Sequence, residues 1–321
     1  MVDLTLAICI YNAEKYIYET LQSVLAQTCQ EFHLLIVNDC STDSSLSVVK
    51  GFSREHSRQY EVVSFDVNHG IGYARHFAER HASTRYMMFL DADDVLAPQA
   101  IEKMYSRITA DPELMAVGCY LDYMDSEGKK IGGGIYLGEK TKAGFIEKAK
   151  QKKRIFIPVT TVYNRQIALS VGGFEIDGYP NDGLRFQDYC EELDLWTRMS
   201  DLYSEGKAII VIPEVLGYYR KSGGLSSGTF PMIVKMRYVK ANLLRRRAGM
   251  RELTFTDFYA ALSDKEIKRL QGDAAAAENL RNGIFQLRRK QWGKGACLVG
   301  RSICCRPLYV WDKIRHNLKF K

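Results

Sequence analysis

The chain has 321 residues, of which 46% are hydrophobic and 26% charged, with a net charge of +7. That is ordinary globular composition, enough to bury a sizeable core in one large domain or two unequal ones. No apolar run reaches 18 residues, so no transmembrane helix is expected, and Met1-Val2-Asp3 leads into a strand-like segment with no basic leader.

The eight cysteines are scattered at positions 9, 29, 40, 119, 190, 297, 304 and 305. They form no CxxC pair and have no histidine cluster beside them, which argues against zinc. The thiols read as reduced, the adjacent Cys304 and Cys305 as small buried apolar side chains, and the protein as cytoplasmic. Charge is uneven: residues 231–321 carry a net +14 and residues 1–230 a net −7. The acidic part suits a metal-using body and the basic part suits something that meets anions.

Strand and helix patterns alternate over the first 125 residues. Leu4–Ile10 is an apolar run, and Ile17, Leu21, Val24 and Leu25 recur at helical spacing. His33–Asn38 is a second strand, and Cys40-Ser41-Thr42-Asp43 suits the N-cap of a helix running to about Glu55. Tyr60–Asp66, Tyr86–Leu90 and Met115–Met124 are further strands, with a helix over Gly72–Ala82 and another after Pro98. Repeated βα units predict an α/β fold with a mostly parallel sheet covered on both faces, and ligands at the carboxyl ends of its strands. That edge holds Tyr11-Asn12, Asp39 and Asp91-Ala92-Asp93-Asp94.

Beyond residue 125 the pattern loosens. Gly132-Gly133-Gly134 reads as a loop or hairpin, and Lys148–Arg154 as a basic cluster in or beside a short helix. Glu191–Ser204 reads as a helix, Ile209–Ile212 as a buried strand ending at Pro213, and Ser222–Thr229 as a mobile link. Helices follow over 232–248, about 255–270, 273–290 and from about 296. Two domains are expected, 1–228 and a helical basic region at 229–321.

Three segments carry chemistry. In Asp91-Ala92-Asp93-Asp94, three carboxylates within four residues repel one another unless a cation neutralises them. Oxygen ligands of this kind suit Mg²⁺ or Mn²⁺ held by one or two carboxylates plus substrate phosphates. A solvated acidic loop is the alternative. In Asn68-His69-Gly70-Ile71-Gly72-Tyr73-Ala74-Arg75, glycines permit a tight turn, and Arg75 one turn into the helix could reach a phosphate or base. A plain strand–helix link with a surface arginine is the alternative, and no GxGxxG follows the first strand, which counts against an oxidoreductase. In Glu191-Glu192-Leu193-Asp194-Leu195-Trp196, helical spacing puts Glu192, Leu195, Trp196 and Met199 on one inward face. Glu191, Asp194, Arg198 and Asp201 then fall on the other side, where Asp194 and Arg198 can pair. A carboxylate heading an apolar face is partly desolvated, which suits a general base. Alternatively these acids only complement the helix dipole.

All three segments fit one arrangement. Over roughly residues 4–222 the chain resembles the family 2 glycosyltransferases, which have the GT-A fold. The resemblance rests on Leu6–Ile17, Leu21–Thr28, Ile36–Asp43, the glycine turn ending at Arg75, the DxDD cluster, Gly172-Gly173-Phe174 and the EExDLW segment, in the family's order. It implies that Tyr11, Asn12, Glu14 and Asp39 hold the nucleoside, Asp39 accepting from the base, usually uracil. It places Ile10, Asn68, Gly70, Arg75, Asp91, Ala92 and Asp93 around the nucleotide sugar, Asp93 and Asp91 at the metal, Glu192 as catalytic base, and Glu191 and Trp196 toward the acceptor. The chain departs from the pattern in having Ile10 for proline, Asn38 for aspartate, Cys40 for glycine, Glu192 for aspartate and Ser222 for a metal-side histidine.

The reaction implied is an inverting transfer of one sugar, from a UDP-hexose or UDP-N-acetylhexosamine donor to a hydroxyl of a glycan or lipid-linked glycan. The basic, aromatic-rich C-terminal region suggests a peripheral site on an anionic membrane at its inner face, and no nucleic acid. Two competing readings fit less well. A nucleotidyltransferase would need a basic glycine-rich loop where Tyr11-Asn12-Ala13-Glu14 stands, and a silent sugar-nucleotide-binding module would have lost Asp93 or the carboxylate at 192.

Overall fold

The computed structural model describes residues 2–56, 59–180, 183–221, 229–288 and 290–311. They form two compact units. One comprises 1–177, 190–222 and 239–252; the other comprises 178–189, 223–238 and 253–321.

The first unit is built on one sheet. Its strands are β1 (Leu4–Ile10), β2 (His33–Asn38), β3 (Glu61–Ser64), β4 (Tyr86–Phe89), β5 (Val95–Leu96), β6 (Leu114–Met124), β7 (Lys130–Ile135), β8 (Thr161–Asn164) and β9 (Ala208–Arg220). They lie in the order β3-β2-β1-β4-β8-β6-β9-β5, with β7 paired to β6. Neighbours β3, β2, β1 and β4 are parallel, as are β6 and β9; β8 runs antiparallel between β4 and β6. All seven residues of β1 are buried, as expected of a strand covered on both faces. The helices are α1 (Ile17–Leu25), α2 (Ser45–His56), α3 (Ile71–His81), α4 (Ala100–Thr109), α5 (Lys142–Lys150), α6 (Arg165–Ser170) and α7 (Glu191–Met199). Because β8 is reversed between them, β4 and β6 point the same way. The carboxyl ends of β1, β2, β4, β6 and β9 therefore share one edge.

One strand boundary differs from the sequence expectation. Pro213 does not end the last strand: β9 continues to Arg220, because the pairing jumps from Cys119–Ile212 to Tyr120–Val215. A bulge is where a strand tolerates a residue with no N–H. Gly132–Gly134 takes the hairpin option as part of β7. Ser222–Thr229 lies outside the described residues except for Thr229.

The second unit contains the start of α8 (Thr229–Arg246), then α9 (Phe255–Ala260), α10 (Asp264–Arg288) and α11 (Trp292–Cys305). The two expected helices over 255–290 are divided elsewhere. Ser263 and Glu266 form a reciprocal cap, Ser263 N donating to Glu266 Oε2 at 3.0 Å and Glu266 N to Ser263 Oγ at 3.3 Å, and this starts one long helix. α10 and α11 cross closely at Gly283 and Gly295, where a Cβ on either would meet the opposite backbone at 3.0 Å. An aromatic cluster of Tyr179, Phe186, Tyr238 and Phe255 forms a small core. Cys304 and Cys305 are exposed, against the expectation of burial, because the α10 contact is made by Ser302, whose hydroxyl donates to Ala276 O at 2.6 Å. All eight cysteines are free. No helix among the described residues is long and apolar enough to cross a membrane.

Candidate active site

The shared strand edge begins at β1 and β2. Asn12 adopts φ 49°, a left-handed conformation that asparagine tolerates. Its Oδ1 accepts from Thr42 N at 2.8 Å, and its own N–H donates to Ser41 Oγ at 3.1 Å. Glu14 accepts from Ser44 N at 2.8 Å at the start of α2. Both side chains therefore fasten the β1 loop to the β2 loop. Ile10 is buried beneath them, and Tyr11 stays 51% exposed on the rim.

Asp39, at the end of β2, is buried and committed to the 68–70 turn. Its carboxylate accepts from Asn68 Nδ2 at 2.9 Å, His69 N at 2.7 Å and Gly70 N at 2.8 Å. Gly70 has φ 92°, which no L side chain adopts without strain, and it opens α3. Asp39 thus spends three acceptor positions on the turn that aims α3 at the edge.

That aim delivers Arg75, only 4% exposed, to the centre of a carboxylate cluster. Its guanidinium donates to Asp91 Oδ1 at 2.6 Å and to Glu191, and lies 3.7 Å from Glu192 Oε2. Burial alone would lower its proton affinity, but Glu191, Asp91 and Glu192 more than reverse this. Three carboxylates face one guanidinium, which leaves local negative charge for a proton or a cation to offset. Burial pushes the Glu191 carboxyl up, and the charge of Glu192 adds to it while Arg75 opposes. Cys9 lies within the same field, and burial lifts its thiol to about 12, so it stays neutral. Glu192 is the accessible carboxylate of the α7 pair: its side chain is 30% exposed, against 7% for Glu191.

The helical face expected for α7 is corrected by this geometry. Glu191, Asp194 and Arg198 were expected to face outward, yet all three are buried. The reason is pairing. Arg198 meets Asp194 at 3.3 Å and donates to the carbonyls of Val171 and Gly173, so the polar side of α7 is neutralised inside the protein. Trp196, expected toward the acceptor, is 1% exposed and packs edge-on to Tyr163 in the core. Glu191, likewise expected toward the acceptor, is buried and paired with Arg75. Both residues position α7.

The sequence motifs do not single out Arg220. At the end of β9 it is fully buried and ties the acidic loop to its surroundings. Its N–H donates to Asp94 Oδ1 at 2.9 Å, its Nε to Asp93 O at 2.8 Å, Nη1 to Asp125 O at 3.1 Å and Nη2 to Glu19 Oε2 at 2.5 Å. The strand-edge rule applied to β1, β2 and β4 would have found it had β9 been read to its true end. Gly173 belongs to the same scaffold. With φ 66°, it lies where an added Cβ would sit 2.2 Å from Glu79 Oε2, the acceptor of Phe174 N at 2.8 Å.

Asp91, Ala92 and Asp93 are half-buried at the edge, while Asp94 is buried with Oδ2 lacking a hydrogen-bond partner. Burial, then the charges of Asp91 and Asp93, pushes the Asp94 carboxyl well up. Among the described residues no three His, Cys, Asp or Glu side chains converge as a complete metal cage. An ion completed by substrate phosphates needs only one or two carboxylates. Asp91 and Asp93, oxygen donors in a site with surplus negative charge, fit an ion of that kind.

The model of the family described as "Glycosyl transferase family 2" matches residues 5–171, just over half of the chain. A teichoic acid poly(glycerol phosphate) polymerase from Staphylococcus epidermidis is 42% identical over 101 residues, which is 32% of this chain and 14% of the polymerase. An uncharacterised glycosyltransferase from Haemophilus influenzae is 27% identical over 227 residues, 70% of this chain and 67% of that one. The chain therefore spans only a small part of the polymerase and about two thirds of the second relative. Among solved structures, S. aureus TarS 1-349 in complex with UDP-GlcNAc has a TM-score of 0.54 at 17% identity, covering 93% of this chain and 91% of that one, so the two share a fold.

Proposed function

The chain belongs to glycosyl transferase family 2, with the GT-A fold, and we propose that it is an inverting transferase of one sugar from a nucleotide-diphosphate sugar to an acceptor hydroxyl. The donor class is UDP-hexose or UDP-N-acetylhexosamine, and the acceptor is a glycan or lipid-linked glycan. Polyol-phosphate chains, of the kind named for the staphylococcal relative, belong among the acceptors this reading admits. One observation carries the proposal: Arg75 touches Asp91 and Glu191 and lies 3.7 Å from Glu192, so residues a hundred positions apart meet in one place.

In this reading the acceptor oxygen attacks the anomeric carbon while the bond from that carbon to the β-phosphate oxygen breaks. Glu192, the accessible carboxylate of α7, takes the hydroxyl proton. A base on the face opposite the leaving group gives inversion, as in inverting glycosidases. Asp91 and Asp93 would hold Mg²⁺ or Mn²⁺, which when bound supplies Lewis-acid stabilisation of the departing diphosphate. Tyr11 offers an exposed ring to the base, and the Asp39-bound turn of Asn68 and Gly70 shapes the donor side. Arg75 keeps Asp91 and Glu192 at a fixed spacing, and Arg220 holds the backbone of Asp93.

The basic second unit fits an anionic membrane surface at the inner face. Trp292, Ile303, Leu308 and Trp311 are exposed together with Lys294 and Arg301 on and after α11. Co-flotation with phosphatidylglycerol vesicles that falls with salt is expected, and flotation no better than with neutral vesicles would remove this element.

The activity is tested by incubating the protein with a panel of nucleotide sugars, starting with UDP-GlcNAc, with Mn²⁺ and then with EDTA. A transferase releases free nucleoside diphosphate in a metal-dependent way. Release of pyrophosphate, or of nothing from any donor, would overturn the proposal.

A further inference from the structure

The basic segment at the end of α5 and just beyond it is not among the donor-site residues named above, yet it is folded against α7. Lys150, Lys152, Lys153 and Arg154 follow one another within five residues, with no acidic side chain between them. The segment is held to α7 by Ile155 N, which donates to Thr197 Oγ1 at 3.2 Å. Lys152 takes a left-handed backbone, φ 53°, which is strained for a lysine. From α8, Lys240 reaches the same place and donates its ammonium to Lys152 O. Arg154 is half-buried over the Phe156 ring, at 5.5 Å, and within electrostatic reach of Cys190, the residue immediately before Glu191 and Glu192.

The cluster is costly as bare structure. Burial lowers the proton affinity of Lys240, and Arg154 and Lys152 lower it further, as expected when like charges are crowded. Burial similarly lowers that of Arg154. An anion beside Lys240 would relieve that crowding. The neighbouring carboxylates make the same point from the other side. A neutral glycan needs no cations to approach Glu192, whereas a chain bearing negative charge would be repelled by Glu191, Glu192 and Asp91 unless positive charge stood beside them.

We propose that Lys152, Lys153, Arg154 and Lys240 form an acceptor subsite for phosphodiester groups, so that the acceptor is an anionic polyol- or sugar-phosphate chain entering past Cys190 toward Glu192. This rests on the reading of Glu192 as the base. Arginine grips phosphate through paired N–H groups, and lysines serve as point charges for the next phosphate along the chain.

The test uses a fluorescent oligo(glycerol phosphate) of eight units as probe, with an uncharged glucan of matched length and phosphatidylglycerol vesicles as separate arms. Anisotropy titrations compare the full-length wild type with Lys153→Glu, Arg154→Gln and Lys50→Glu, the last carrying the same charge change on the exposed face of α2. Lys153 is exposed, so its variant carries the test if Arg154→Gln misfolds. The expected result is that the charged oligomer binds the wild type and the glucan does not. Lys153→Glu and Arg154→Gln should each weaken binding about tenfold, and Lys50→Glu by under about twofold. Equal binding by Lys153→Glu and wild type, an equal loss in Lys50→Glu, or a loss confined to the vesicles would overturn the subsite. Nucleoside diphosphate release by the wild type without acceptor is measured in parallel. Its absence would count against the donor reading alone, because oligomer binding needs no donor.

Discussion

Replacing Arg75 by methionine removes the guanidinium that faces Asp91, Glu191 and Glu192 while keeping a long apolar stem. The arginine and Glu191 side chains are 5% and 7% exposed, so solvent screens their pairing little. Removing one partner of a buried pair typically costs about 3–5 kcal/mol, since the other charge is left uncompensated. The loss should depend on pH. In the wild type, burial first and Glu192 second raise the folded-state pKa of Glu191. A carboxyl raised in this way contributes stability that is fully present below the unfolded pKa of about 4.3 and is lost as pH rises through the folded value. Arg75 opposes that rise, so in Arg75→Met the folded value climbs further and the loss deepens. Urea unfolding followed by circular dichroism at about pH 5 and about pH 8 should show the larger deficit at the higher pH. A variant within about 1 kcal/mol of wild type at about pH 8, or with the same deficit at both, would refute the electrostatic account of the cluster.

Two other variants separate chemistry from scaffold. Glu192→Gln keeps shape but cannot accept a proton, and should lower the transfer rate about 10²–10⁴-fold in a sugar-transfer assay while the unfolding midpoint stays near wild type; full turnover would end its assignment as base. Gly173→Ala drives a methyl into the Glu79 carboxylate and forces alanine to positive φ, and should cost about 2–5 kcal/mol in urea unfolding; near-neutral behaviour would mean that the tight turn is not required.

The parallel half of the sheet was legible because β1, β2 and β4 are short apolar runs bounded by polar turns, and the strand-edge rule then located Asp39, Asp91 and Asp93. The mixed half was harder to read. Two-residue β5 leaves almost no pattern, and the bulge at Pro213 mimics a strand end. Helix α7 misled for a definite reason: periodicity separates polar from apolar faces, but a helix whose polar face is neutralised by Arg75 and Arg198 is buried on every side except at Glu192. Arg75 lies 116 positions from Glu191, so only the fold brings those two together, whereas Arg198 and Asp194 sit one turn apart on α7 and their pairing was legible in the sequence. Likewise, the sequence marks Asn12, Glu14 and Asp39 as polar groups at the edge, but not that each is already engaged with a neighbouring loop. The Ser263–Glu266 cap, by contrast, was visible as a spacing and would have set the start of α10.

The central claim is that Glu192 and the acidic loop at 91–93 serve one donor. A crystal structure with Mn²⁺ and a hydrolysis-resistant UDP-sugar, the ion located by its anomalous signal, tests it most directly. The account predicts the ion at about 2.0–2.3 Å from a carboxylate oxygen of Asp91 or Asp93, with the anomeric carbon turned toward Glu192. Donor and ion bound away from Arg75, or a sugar with Glu192 on the leaving-group side, would contradict it.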